Sequence, residues 1–172
     1  RIRPASQRRS ASCVSVNSCF GYANNFTRLG ICACLNQRFP REGIEVVGEV
    51  PAERFFDLMR LADIVTMPSY DEPFGLIAQE AMLLRRLLVV SGSGGLMEFT
   101  GDDCAVVIEP KSVSSLQKGL MRAITLMEEK EAAIRISMLD RAQARVDTFH
   151  PARVACHLED IYDKACGMGV GV

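Results

Sequence analysis

Hydrophobic and polar positions follow two distinct periods along the chain from Glu42 onward. Short apolar runs without polar alternation predict strands at residues 44–47, 64–67, 87–91 and 104–108. Longer segments with apolar side chains three and four positions apart predict helices at residues 51–62, 74–86, 113–127, 131–146 and from Pro151 onward. The glycine-rich segment after residue 91 predicts a turn, followed by a short helix.

The alternation of strands and helices predicts an α/β domain. Strands that are apolar along their whole length are buried on both faces, which is typical of a parallel sheet covered by helices on each side. We therefore expect a doubly wound, Rossmann-like parallel sheet with further helices at the C-terminus. In this fold class, ligands bind in the loops that follow the carboxyl ends of the strands.

Residues 1–41 differ from the rest of the chain in charge and in pattern. They contain seven arginines and no Lys, Asp or Glu, so this segment carries +7 and residues 42–172 carry −8. The composition fits an organelle transit peptide or a basic arm that binds phosphates. The absence of a sustained period favours a third interpretation, an irregular and poorly ordered N-terminal arm before a single domain at residues 42–172. The first residue is Arg rather than Met, which favours a piece of a longer protein.

The composition of the chain limits the classes of protein to which it can belong. With 172 residues, 48% of them hydrophobic, the chain is long enough for one globular domain with a core. No apolar run reaches the roughly 18 residues that a membrane span needs, and the net charge of −1 gives no reason to expect nucleic acid. The chain has seven cysteines, an odd number, which favours a cytoplasmic protein whose cysteines are reduced thiols. The spacing of the four cysteines in residues 1–41 predicts no metal site.

The loop after the strand at residues 64–67 is the first candidate site. It leads into a helix whose first backbone N–H groups, those of Phe74, Gly75 and Leu76, are donors for an anion. Gly75 has no side chain and lets a phosphate or a sugar approach the backbone. Glu72 lies just before these donors, either as a functional carboxylate or as a cap of the helix.

Glu80, one to two turns into the same helix, lies among apolar residues. Its neighbours three and four positions away are Leu76, Ile77, Leu83 and Leu84. A buried carboxylate needs partners, because an isolated buried charge is costly. Two alternatives stay open: a structural ion pair with an arginine, and hydrogen bonds accepted from the hydroxyl groups of a ligand such as ribose.

The segment Ser91-Gly-Ser-Gly-Gly-Leu96 forms a second candidate loop after a strand. It begins like the dinucleotide fingerprint G-x-G-x-x-G, but Met97 stands where the last glycine belongs, which disfavours a dinucleotide enzyme. Its glycines suit either close approach to a phosphate or a tight turn.

Taken in order, these motifs resemble the C-terminal half of a retaining GT-B glycosyltransferase of group 1, glycosyltransferase family 4. The resemblance covers residues from about 44 to 166 and rests on these segments: Gly48-Glu-Val, Ala62-Asp-Ile-Val, Pro68-Ser-x2-Glu-Pro-Phe-Gly-Leu76, Glu80-Ala-Met82, Val89-Val-Ser and Gly94-Gly-Leu-x-Glu98. Glu72 and Glu80 match the E-x7-E signature of that family.

The resemblance implies an enzyme that transfers a sugar from a nucleotide-diphosphate-sugar donor with retention of configuration, without a metal or another cofactor. Carried over by position, Glu72 is the catalytic carboxylate near the transferred sugar, and Glu80 binds the ribose hydroxyls. The donor's sugar and diphosphate contact Phe74, Gly75, Leu76, Gly94, Gly95 and Leu96. The acceptor is a sugar, a lipid or another compound, and contact with a membrane surface would come through the other half of such an enzyme.

The chain departs from the family at two places. It has no counterpart of the upstream Gly-Arg…Lys-Gly region that neutralises the diphosphate, and Leu84-Arg85-Arg86-Leu87 replaces a turn that usually contains glycine. We expect the second departure to strain the backbone. The alternative function is a non-catalytic nucleotide-sugar-binding remnant or a module that depends on a partner. A nucleotide-sugar epimerase of related fold is disfavoured by the Glu-Pro-Phe-Gly segment.

Overall fold

A four-stranded parallel sheet with strand order β1-β2-β3-β4 forms the centre of the fold in this computed structural model. The structure describes residues 13–15, 50–70 and 72–167. The strands are β1 (Cys13–Ser15), β2 (Ile64–Met67), β3 (Leu87–Ser91) and β4 (Val106–Ile108). The helices are α1 (Ala52–Leu61), α2 (Leu76–Leu83), α3 (Leu96–Phe99), α4 (Val113–Leu126), α5 (Ala132–Val146) and α6 (Pro151–Ala165).

The two central strands are buried along their whole length. Every residue of β2 and β3 is buried, as their continuous apolar sequences predict. In the parallel register, Ile64 pairs with Leu87 and Met67 pairs with Val90. These two strands therefore fix the edge from which the neighbouring loops leave the sheet.

Helices cover both faces of this sheet. On one face, buried residues of α1, α2, α3 and α5 pack with alternate strand residues such as Val65, Leu88 and Val90. On the other face, α4 packs against Ile64, Leu87, Val89 and Ile108 through residues such as Ala123 and Leu126. The arrangement is the expected doubly wound, Rossmann-like α/β fold, with α5 and α6 as C-terminal helices.

Two predicted bounds differ from the structure. The helix expected at residues 74–86 is shorter, because its N-cap Gly75 has a left-handed φ of +84°. At its other end, Arg85 has a φ of +54°, which confirms the strain expected where a glycine is missing. The strand expected at residues 104–108 begins later, at Val106.

Part of the segment taken as an N-terminal arm forms a strand of the sheet. Cys13 pairs with Ile64 and Ser15 pairs with Thr66, so β1 extends the sheet on the side of β2. Sequence analysis placed no element there, because three residues are too few to reveal a period. The other residues of the arm, and the strand expected at residues 44–47, lie outside the described residues.

The last helix carries an apolar stripe that no described residue covers. Val154, Leu158 and Ile161 are spaced as the sequence predicts, yet each is exposed, and α6 has no buried residue. Among the described residues, none of the helices is long and apolar enough to cross a membrane.

Candidate functional site

Three loops leave the sheet at the carboxyl ends of adjacent parallel strands. Residues 68–75 follow β2, residues 92–95 follow β3, and residues 109–112 follow β4. Because neighbouring strands lie about 4.8 Å apart, these loops come together at one edge of the sheet. Most of the residues singled out from the sequence lie at this edge.

The loop after β2 and the glycine-rich loop after β3 are packed backbone against backbone. The N–H of Gly95 donates a hydrogen bond to the carbonyl oxygen of Glu72, at 2.8 Å. A Cβ on Gly95 would overlap the carbonyl oxygen of Pro73, and a Cβ on Gly75 would lie 2.5 Å from the Cδ2 atom of Leu96. The sequence predicts that these glycines let a ligand approach the backbone. In the structure, Gly75 and Gly95 let the two loops pack against each other.

Serine side chains add a second connection between the same strands. The Ser91 hydroxyl donates to the carbonyl oxygen of Ser69 at 2.5 Å, and the Ser93 hydroxyl donates to the same oxygen at 3.3 Å. The N–H of Gly92 donates to the carbonyl oxygen of Ile108 at 2.8 Å. The glycine-rich loop is therefore anchored to the ends of both β2 and β4.

Glu72 lies inside this packed region. Its side chain is 8% exposed, and its Oε1 atom accepts a hydrogen bond from the N–H of Gly75 at 3.2 Å. This contact closes the turn just before α2, as in the capping interpretation. It also fixes the orientation of the Glu72 carboxylate at the edge of the sheet where the loops meet.

The N-terminus of α2 retains three backbone donors. Within the part of the chain that the structure describes, the N–H groups of Phe74, Leu76 and Ile77 have no acceptor. The Gly75 N–H donates to the Glu72 carboxylate in this structure, and its contact with a ligand stays a prediction. Positive helix-dipole charge and free N–H groups are the two features that anions require at a helix end.

Glu80 lies at the border of an exposed apolar face, which corrects the expectation of a buried stripe. Leu76 is 63% exposed and Leu83 is 55% exposed, while Ile77 and Leu84 are partly buried. Burial raises the pKa of the Glu80 carboxyl above its ordinary value, and no cation offsets this effect. None of the ion pairs among the described residues includes Glu80, so the structural ion pair considered above is not found there.

Three further features at this edge were not identified from the sequence. The amide nitrogen of buried Gln79 has no hydrogen-bond partner among the described residues. The rings of Phe74, Phe99 and Phe149 form a cluster with centroids about 6 Å apart. The Lys111 ammonium lies over the Tyr70 ring. Each depends on contacts between residues that are distant in sequence, which periodicity does not reveal.

Across residues 50–70 and 72–167, no group of three or more His, Cys, Asp or Glu side chains is arranged to hold a metal ion. The three loops at this edge carry backbone donors, carboxylates, serine hydroxyls and one lysine.

The family model described as "Glycosyl transferases group 1" matches residues 32–137, which is more than half of the chain. The chain belongs to the group 1 glycosyltransferases. Over 121 residues it is 33% identical to a D-inositol 3-phosphate glycosyltransferase of Corynebacterium kroppenstedtii, and this match covers 69% of the chain and 26% of that protein.

Solved structures of other proteins share the fold. A glycosyltransferase from Rickettsia africae matches with a TM-score of 0.71 at 16% identity, over 91% of this chain and 40% of that one. Anabaena HepE in complex with UDP and glucose matches with a TM-score of 0.66 at 20% identity, over 81% of this chain and 38% of that one. This group 1 chain therefore forms one Rossmann-like unit of a GT-B fold and spans about a quarter of the length of the corynebacterial relative.

The contact between the two loops leads to a first prediction. Gly95→Ala keeps an allowed backbone conformation, since Gly95 has a φ of −63°, but its methyl group would overlap Pro73. We expect the free energy of unfolding to fall by about 2 kcal/mol or more, as in overpacked cores. Urea unfolding measures this loss. In the matched variant Gly92→Ala the nearest atom is Cγ1 of Val107 at 3.2 Å, whereas at Gly95 it is a backbone oxygen that lies closer, so the loss should be clearly smaller; equal losses would contradict the packing described.

The environment of Glu80 leads to a second prediction, on pH. Because the folded pKa is raised, the folded state holds more protons between the ordinary and the raised pKa, and stability falls as pH rises through this window. Glu80→Gln removes this loss. We expect the difference in free energy of unfolding, Glu80→Gln minus wild type, to be more positive at pH 7 than at pH 4.

Urea unfolding at both pH values measures the difference, with Glu159→Gln on the exposed α6 as the control for loss of one carboxylate. An equal effect of Glu80→Gln at pH 4 and pH 7 would contradict the assigned environment.

Proposed function

We propose that this chain is the donor-binding part of a glycosyltransferase that transfers a sugar from a nucleotide-diphosphate-sugar to an acceptor, with retention of the anomeric configuration. One observation carries the proposal: the glycine-rich loop is packed against the loop before α2, beside three backbone N–H groups without an acceptor among the described residues. Such a rigid, donor-rich edge suits a diphosphate. Membership of the group 1 family makes the transferred group a sugar.

The environment of Glu80 supports a role in binding ribose. Its carboxylate is half-buried, carries a raised pKa and has no ion-pair partner among the described residues. Hydroxyl groups of a bound ribose would donate hydrogen bonds to it and stabilise the charged form. Glu80 lies on the same helix as the backbone donors, so a nucleotide would place its phosphates and its ribose along α2.

We propose that Glu72 acts on the sugar rather than on the nucleotide. The hydrogen bond from Gly75 holds one oxygen of its carboxylate, and the side chain is buried. A fixed carboxylate beside the diphosphate site can stabilise positive charge that develops on the transferred carbon. Gly94, Gly95 and Leu96 would line the opposite, phosphate side of the donor.

Neutralisation of the diphosphate is proposed to come from backbone donors and a basic side chain rather than from a metal ion. The related fold of Anabaena HepE, solved with UDP and glucose, makes UDP the first nucleotide to test. Since the chain covers 26% of its corynebacterial relative, we propose that the acceptor, a sugar or a lipid, is bound mainly by residues outside it. A cytoplasmic location and peripheral contact with a membrane belong to the same proposal.

The test compares two variants in binding titrations with UDP, GDP and ADP and with UDP-glucose. Glu80→Gln should weaken binding of the bare diphosphate and of the nucleotide sugar alike, by about tenfold or more, because it removes a charged acceptor. Glu72→Gln retains an acceptor for the Gly75 N–H and should leave the bare diphosphate unaffected while it weakens the nucleotide sugar.

Thermal unfolding of each variant controls for loss of structure. Failure of the wild-type chain to bind any of the three diphosphates would overturn the proposed function. Equal losses for both ligands in both variants would overturn the separate roles given to the two glutamates.

A further inference from the structure

A lysine and a tyrosine that follow two non-adjacent strands of the sheet contact each other. The Nζ atom of Lys111 lies 5.7 Å from the centre of the Tyr70 ring. Tyr70 follows β2 and Lys111 follows β4, and β3 lies between these strands in the sheet. Their contact therefore spans the loop that continues from β3.

Hydrogen bonds anchor the glycine-rich loop at residues 92–95 to backbone near both Tyr70 and Lys111. Ser93 donates to the carbonyl oxygen of Ser69, the residue before Tyr70, and Gly92 donates to the carbonyl oxygen of Ile108, three residues before Lys111. The lysine and the tyrosine therefore lie close in sequence to the two carbonyl groups that anchor the glycine-rich loop. No ion pair among the described residues engages the Lys111 ammonium group.

Lys111 also has an unfavourable backbone conformation. Its φ is +60°, in the left-handed region that favours glycine and asparagine. The other described residue of this kind, Arg85, ends α2 at the opposite side of the domain. Strained residues persist where the surrounding structure imposes them, and they concentrate at functional sites.

The distribution of charged residues in the loops also points to Lys111. In the three loops that follow β2, β3 and β4, at residues 68–75, 92–95 and 109–112, Lys111 is the one basic residue. The sequence of the same loops contains Asp71, Glu72 and Glu109, and Glu80 follows on α2. A diphosphate bound at this edge needs a cation that offsets both its own charge and that of these carboxylates.

We propose that Lys111 binds the diphosphate of the nucleotide-sugar donor, and that the Tyr70 ring positions its ammonium group. This inference rests on the proposed function and deepens it by naming the cation of the site. Tyr70, whose side chain is 66% exposed, acts as a positioning residue through cation–π contact rather than by touching the phosphates.

The test uses the 172-residue chain and calorimetric titration with whichever of UDP, GDP and ADP the wild type binds most tightly, together with the corresponding bare nucleoside. Lys111→Asn removes the charge and tolerates the left-handed backbone. We expect about a tenfold loss of affinity for the diphosphate, no change for the nucleoside, and a weaker dependence of diphosphate affinity on salt. Its thermal stability should stay equal or rise, because the strain is relieved.

Matched variants separate charge from structure. Lys111→Arg should bind the diphosphate within about twofold of the wild type, and Lys118→Asn, on exposed α4 surface, should bind like the wild type. Tyr70→Ala should weaken diphosphate binding, whereas Tyr70→Phe should restore it, because the ring rather than the hydroxyl holds the ammonium.

The outcomes distinguish the two proposals. If the wild type binds the diphosphate and Lys111→Asn binds it equally well, the inference about Lys111 is overturned and the proposed function stands. An equal loss for nucleoside and diphosphate in Lys111→Asn would also overturn it, because the effect would then be structural. If the wild type binds none of the diphosphates, both proposals fail together.

Discussion

The contact between Gly95 and the backbone of residues 72–73 is the constraint on which the site depends. The hydrogen bond from the Gly95 N–H to the Glu72 carbonyl oxygen joins two loops that leave different strands, and the Ser93 hydroxyl adds a second bond between them. Any side chain at Gly95 would overlap Pro73, so the approach is possible for glycine alone. Because both loops are anchored in fully buried strands, their relative position is fixed before a ligand arrives, and preorganised donors lose less free energy on binding.

Charge is distributed along this edge in a way that suits a nucleotide. Glu72 is held by a backbone donor, whereas Glu80 has a raised pKa and forms no ion pair within the described part of the chain. Lys111 provides positive charge on the other side of the glycine-rich loop, over Tyr70. An elongated ligand with hydroxyl groups at one end and phosphates at the other would satisfy all three groups, and a nucleoside diphosphate has that form.

The sequence predicted the sheet well and the surroundings of the site less well. Predominantly apolar runs located β2 and β3 with their observed bounds, because burial on both faces removes the polar alternation of a half-exposed strand. Periodicity identified the apolar faces of α2 and α6 but did not reveal that Leu83 and Leu158 are exposed, since a pattern does not say what covers a face. The Lys111–Tyr70 contact was missed because it joins residues 41 positions apart through the sheet order.

The most direct test of the central claim is a two-dimensional NMR titration of the ¹⁵N-labelled chain with UDP, GDP and ADP. If the packed loops form one binding edge, the amide signals of Leu76 and Ile77 at the start of α2 and those of Gly94 and Gly95 should shift together, with a single dissociation constant. Amides of the exposed α6 should not move. Shifts confined to one of the two loops, or spread over α6 instead, would contradict the account.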